Sequence, residues 1–148
     1  MEALRKPGMI HVKAMCILAY EGKLLATEHF DTFDKQKFFR LIGGGVHFCE
    51  QSIDALRREI REELKSELEN ITFMNVFENI FTYEGQPGHE IIFLYTADLV
   101  RKELYKLPEI PIADHPSIIA KWVPVMDVVS GKESLFPSVD YSPYQSAQ

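Results

Sequence analysis

The spacing of apolar and polar positions changes several times along the chain, and each change marks an element. Residues 9–20 are dense in Ile, Val, Met and Leu and read as a strand. Glu21-Gly22 supplies a turn, and residues 23–29 return as a second strand, so the two form a hairpin. Residues 30–37 are polar and read as a loop, and residues 38–42 form a short strand that runs into Gly43-Gly44-Gly45. Between Gln51 and Leu64 there is neither Gly nor Pro, and the apolar positions change to a helical period. At 100° per residue Ile53, Leu56, Ile60 and Leu64 share one stripe, and Ser52 stands where an N-cap would begin the helix.

Beyond the helix, residues 68–83 are β-like, residues 84–88 (Glu-Gly-Gln-Pro-Gly) are turn-forming, and residues 90–100 form an apolar run suited to a central strand. Residues 107–116 carry Pro108, Pro111 and Pro116, which excludes a regular helix or a central strand. Residues 118–123 read as a strand closed by Pro124, and residues 125–129 as a short second helix. The polar stretch 137–148 is expected to be loosely ordered. Strands, a helix, more strands and a short helix predict an α+β domain with helices packed on a mixed sheet. That domain spans residues 1–148, with a core over about residues 9–130, and no repeat or linker interrupts it.

Composition narrows the functional classes. With 148 residues, 46% apolar and 26% charged, the chain is large enough for one real core. A net charge of −6 gains nothing from counterion release on duplex nucleic acid, so no such partner is expected. No run approaches the length of a membrane span, and no secretory leader is evident, so a cytoplasmic location is expected. Cys16 and Cys49 are expected as reduced thiols, and the five histidines are dispersed without ligand spacing. The Phe and Tyr content is high for the size and allows a homodimer.

The helix carries the chemistry. Glu59, Glu62 and Glu63 form an acidic ridge beside the buried stripe, at spacings where like charges repel by a few tenths of a kcal/mol per pair. Such a ridge is either a solvated face compensated by arginines or a site for a hard divalent cation with oxygen ligands. Its distance from the glycines favours the second. Gly44 is followed by five residues and Glu50, then by seven residues and Arg58-Glu59-Ile60-x-Glu62-Glu63. This run closely resembles the Nudix box, G-x5-E-x7-R-E-U-x-E-E-x-G-U with U aliphatic, and departs from it only at Lys65, where the family has Gly, and at Ser66, where it has an aliphatic residue. Cys49 likewise stands where relatives often carry Gly.

The resemblance implies a Nudix-type α/β/α sandwich with a mixed sheet. It also implies Mg²⁺- or Mn²⁺-dependent hydrolysis of a phosphoanhydride bond in a nucleoside diphosphate linked to another group X, so the expected partner is a small nucleotide. Glu59, Glu62 and Glu63 match the family's metal-binding glutamates, one of which serves as general base. The Gly44 carbonyl joins them at the metal, and Arg58 with Glu50 matches a structural pair that ties loop to helix. Two residues outside the box are candidates for substrate binding. Arg40, just before the glycines, is either a surface strand residue or a phosphate contact, and Glu90 is either a loop residue or a further carboxylate at the site. His47, Phe33, Phe48 and Tyr83 each read better as packed or solvated residues than as ligands. A non-catalytic nucleotide-sensing Nudix domain is the alternative, and a third reading is an isomerase acting on an isoprenoid diphosphate.

Overall fold

The computed structural model describes residues 8–145. Its strands are β1 (Ile10–Ile17), β2 (Ala19–Tyr20), β3 (Lys23–Asp31), β4 (Gln36–Gly45), β5 (Leu68–Tyr83), β6 (Gln86–Leu99), β7 (Glu109–Ile112), β8 (His115–Pro124) and β9 (Leu135–Phe136). The helices are α1 (Ser52–Leu64) and α2 (Val125–Val129), with 3₁₀ turns at Lys102–Lys106 and Ser142–Tyr144. The strands form one mixed sheet in the order β5-β6-β1-β4-β3-β8-β7, with β2 against β3 and β9 against β4. The β1–β6 and β4–β9 pairs are parallel and the others antiparallel.

Two apolar layers cover the sheet. On one face Ala55, Leu56, Ile60 and Leu64 of α1 pack with Ala14, Cys16, Leu18 and Ile42. On the other, Met15, Ile17, Leu24 and Ala26 pack with Val125 of α2 and with Tyr141. The predicted α+β sandwich is therefore present, with one full helix on one side and a thin second layer on the other.

Several expected boundaries moved. The first strand is not continuous: β1 joins β4 and β6 in the centre, and only the two-residue β2 makes the hairpin with β3. The loop expected over residues 30–37 shrinks to a turn, because β3 and β4 stay paired from Ala26↔Leu41 out to Asp31↔Gln36. The 84–88 turn shrinks to two residues, with Glu84 at φ +54° and Gly85 at φ +74°, as a tight hairpin of right-handed twist requires. The stretch expected to be loose is packed over its described part. Tyr141 is only 2% exposed and donates its hydroxyl hydrogen to the Pro137 carbonyl, so one buried aromatic fixes a polar segment. Residues 146–148 lie outside the described residues.

Both ends of α1 differ from expectation. The cap position is Gln51, which makes no side-chain cap bond, and Ser52 is the first helical residue. Its hydroxyl lies 2.6 Å from the Tyr95 hydroxyl of β6, so a tertiary bond takes the group that would have capped the helix. At the other end Lys65 adopts the left-handed conformation, φ +52° and ψ +43°, in the place of the family's glycine, and its N–H donates to the Arg61 carbonyl at 3.1 Å. Ser66, in place of an aliphatic residue, is buried and replaces packing with hydrogen bonds. Its hydroxyl donates to the Glu67 carbonyl and accepts from the Arg101 N–H.

Candidate active site

The site forms where the end of β4 meets α1. Strand pairing sets Gly43, Gly44 and Gly45 opposite Met15, Ala14 and Lys13. A Cβ at Gly44 would lie no more than 2.6 Å from every carboxyl atom of Glu59, so the absence of a side chain there is what lets that carboxylate reach the strand. Gly43, at φ +153°, lies against the backbone of Ala14 and Met15 just as closely.

The three ridge glutamates sit in different surroundings. Glu59 is 1% exposed and Glu63 4%, whereas the Glu62 side chain is 43% exposed. Glu63 Oε1 is buried and accepts no hydrogen bond among the described residues. Burial, reinforced by the charges of Glu59 and Glu62, pushes the Glu63 carboxyl up to about 8, against a weaker opposing backbone bond from Gly43.

Arg58 ties the ridge to the loop. Its Nε and Nη2 each donate to one oxygen of Glu50 at 2.9 Å, and Nη2 also reaches the Gly45 carbonyl at 2.8 Å. These bonds hold the Glu50 carboxyl at about 2, well below the usual carboxylate range. Glu50 also accepts from the His47 N–H at 3.0 Å, which closes the loop before α1. The third arm, Nη1, lies 3.1 Å from Glu59 Oε1 and 3.5 Å from Glu62 Oε1. With Arg58 between them the carboxylates do not converge: among the described residues no three acidic, His or Cys side chains stand in ligating geometry.

A cavity of about 130 Å³ opens beside this ridge, and Gly43, Gly44 and Glu63 line it together with Lys13, Arg40 and Thr27. Arg40 thus faces the cavity, with its guanidinium over the Phe81 ring at 5.9 Å. Glu90 is not part of the cavity wall. It is fully buried beneath, with Oε1 3.0 Å from Arg40 Nη2 and Oε2 3.9 Å from Lys13 Nζ. Burial brings the Lys13 ammonium down to about 8, although Glu90 works against this. His29 also borders the cavity, and burial next to Arg40 lowers it to about 4, so its ring is neutral at pH 7. Thr27 Oγ1 donates to the Arg40 carbonyl, and His29 Nε2 stands 2.8 Å from Thr27 Oγ1.

Lys13, Thr27 and His29 were missed from sequence. The only signal was polarity inside otherwise apolar strands, and it does not say which face a residue takes. Of the other residues weighed there, Phe48 is 97% exposed and Phe33, 71% exposed, lies over Gly85. Tyr83 meets Phe38 edge-on at 5.6 Å.

The donor set suits a hard divalent cation. Three carboxylates stand on one helix and, although they do not converge, among the described residues the buried Glu63 Oε1 has no hydrogen-bond partner, and Gly44, with no side chain, lies against Glu59.

Comparison with known proteins agrees with the fold. The family model for the NUDIX domain matches residues 9–144. No curated protein matches the chain in sequence. Among solved structures, a NUDIX hydrolase from Nitrosomonas europaea superposes with a TM-score of 0.59 at 16% identity, over 86% of this chain and 78% of that one. A MutT NUDIX hydrolase from Burkholderia pseudomallei gives 0.54 at 17%, over 95% and 99%. A protein described as an ADP compounds hydrolase gives 0.56 at 17%, over 93% and 68%.

Proposed function

The chain belongs to the NUDIX family of hydrolases, and from that premise we propose that it hydrolyses a phosphoanhydride bond in a nucleoside diphosphate linked to a further group X, with Mg²⁺ or Mn²⁺ as cofactor. The observation that carries this reading is Glu63 Oε1, a carboxylate oxygen buried beside Glu59 with no hydrogen-bond partner among the described residues, in a cavity that Lys13 and Arg40 also line. A fold keeps such an arrangement at a cost unless a positive ligand completes it.

Glu59, Glu62 and Glu63 would hold the ion once their side chains turned towards one another, with the Gly44 carbonyl as a further oxygen. When bound, the ion supplies charge neutralisation at the diphosphate and makes an attacking water more acidic. Arg40 and Lys13 meet the phosphate oxygens from the cavity lining, and Glu90 beneath them keeps both cations in place. Arg58, braced by Glu50 and the Gly45 carbonyl, fixes the loop to the helix, so little reorganisation accompanies reaction. The water oxygen forms a bond to phosphorus, the bridging P–O bond breaks, and one ridge glutamate takes the water's proton. Two phosphate-bearing products leave.

The test is a cleavage screen with ADP-ribose, nucleotide sugars, dinucleoside polyphosphates and oxidised nucleotides under Mg²⁺ and Mn²⁺, with calorimetry of ion uptake. Glu63→Gln is expected to abolish turnover while its circular dichroism stays native. Undiminished turnover in that variant, or no ion uptake with or without nucleotide, rejects the proposal.

A further inference from the structure

A second cavity, larger than the one beside the glutamates, opens elsewhere in the fold. About 300 Å³ opens where Tyr20 and Lys23, flanking the β2–β3 turn, face Tyr105 and Lys106 of the 3₁₀ turn and Trp122 of β8. It shares no residue with the cavity at Glu63. Both touch β3, one at Lys23 and the other at Thr27 and His29, so roughly 13–20 Å of strand separates them.

Three half-buried rings form its wall. Tyr105 and Trp122 stack with centroids 5.5 Å apart and 29° between planes, and Tyr20 lies 4.7 Å from Tyr105 and 6.2 Å from Trp122. Hydrogen bonds lock two of the rings. The Leu99 N–H donates to the Tyr105 hydroxyl at 2.7 Å, and Trp122 Nε1 donates to the Leu104 carbonyl at 3.1 Å. The platform is therefore rigid before any ligand arrives, and little ordering entropy is lost on binding.

The rim is charged. Lys106 Nζ stands over the Tyr20 ring, 6.0 Å from its centroid, and Lys23 lies on the same rim opposite Glu21. On a chain of net charge −6 this is a local excess of positive charge beside an aromatic floor. A flat ring stacks on such a floor, and an anionic substituent of that ring meets the lysines. The volume is of the size that holds a small-molecule ligand.

We propose that this cleft is a second binding site, for a planar aromatic ring carrying an anionic group such as a nucleoside monophosphate, separate from the site at the glutamates. The inference does not rest on the proposed hydrolysis, because it uses none of the same residues.

Trp122 is the single tryptophan of the chain, so its emission and its indole N–H resonance report on this cleft alone. The full-length protein, held in EDTA, is titrated with adenosine 5′-monophosphate, and with adenosine and ribose 5-phosphate as controls. The expected result is saturable quenching of Trp122 and a shift of its indole resonance by the monophosphate, with weaker effects from either fragment. Lys106→Ala should weaken binding about 2–5-fold, the scale of one exposed ion pair. Tyr20→Ala should weaken it at least about 5-fold, the scale of one stacked ring, and Lys23→Ala provides a second charge variant. Arg40→Ala should leave the titration unchanged. An absence of response up to 10-millimolar order ligand (~10 mM, far weaker than functional sites of this kind) overturns the proposal. So does a response that Arg40→Ala weakens and Lys106→Ala does not, because it places the ligand in the other cavity. Equal binding of adenosine and its monophosphate, unaffected by both lysine variants, removes the anionic specificity and overturns it as well.

Discussion

Glu63 gives the most direct test of how the site is built. In the metal-free protein its carboxyl is pushed from 4.5 up to about 8, by burial first and by Glu59 and Glu62 next. A raised carboxyl favours the protonated form in the fold, so its contribution to stability is fully present below pH 4.5 and is lost as pH climbs through 8. Between those limits the unfolded chain has already released the proton that the folded chain keeps, and the loss approaches about 1.4 kcal/mol per pH unit. With carboxyl values of 4.5 unfolded and about 8 folded, the loss is about 1 kcal/mol at pH 5 and about 3 kcal/mol at pH 7, a difference of roughly 2–2.5 kcal/mol.

Glu63→Gln removes the titration and keeps the shape. Urea unfolding of both proteins in EDTA, at half-unit steps from pH 5 to 8, isolates the difference. Lys13 shifts the other way: its ammonium is lowered to about 8, so its contribution is lost as pH falls from 10.5 through 8. That background is common to both proteins, and to first order it cancels in their difference. The expected outcome is that the variant becomes the more stable protein as pH rises, with the gap widening by about 2 kcal/mol between pH 5 and pH 7. With saturating Mg²⁺ the wild type should regain the lost stability, while the variant should not respond. Parallel curves, differing by less than about 0.5 kcal/mol across the range, would refute the argument that a buried, uncompensated carboxylate is held ready for a cation.

Other residues give independent checks. Gly44→Ala should depress turnover and ion affinity together by at least about tenfold, since the new methyl takes the space of the Glu59 carboxylate, and calorimetry against Mn²⁺ reads the affinity directly. A double-mutant cycle of Glu50→Ala and Arg58→Ala should show a coupling of about 1–2 kcal/mol, reduced from the value of a buried charged bond because both side chains are partly solvated. A coupling near zero removes the bracing role. Lys65→Gly should stabilise the fold by about 0.5–1 kcal/mol, because the left-handed cap costs a lysine more than a glycine, and thermal unfolding checks it. Glu90→Gln should destabilise the fold by about 3 kcal/mol, because it leaves Lys13 and Arg40 without their buried counter-ion, and Glu90→Asp should recover part of that loss.

What could be read from sequence follows a physical division. The ridge was legible because Glu59, Glu62 and Glu63 lie within two turns of one helix, where spacing alone fixes which side chains are neighbours. The pairing of Glu50 with Arg58 came from the family resemblance, and Arg58 Nε and Nη2 each donate to one Glu50 oxygen. The ends of α1 were less legible, because they depend on partners far along the chain. Tyr95 takes the hydroxyl of Ser52, and Arg101 reaches both Ser66 and the Leu64 carbonyl.

The cationic wall was beyond reach for the same reason. Lys13 and Glu90 are 77 positions apart, and they come together only because β1 runs parallel to β6 with His11 opposite Glu90. Arg40 reaches the same carboxylate from β4, on the other side of β1. A shift of one residue in either pairing would turn Lys13 or Glu90 to the opposite face. Neither charge could stay buried there without its partner. The buried ion pairs therefore penalise wrong registers of the central strands, and they place two cations in the lining of the cavity that Glu63 also lines. The register that permits the fold is thus also the one that brings Lys13 and Arg40 to the cavity that Glu63 lines.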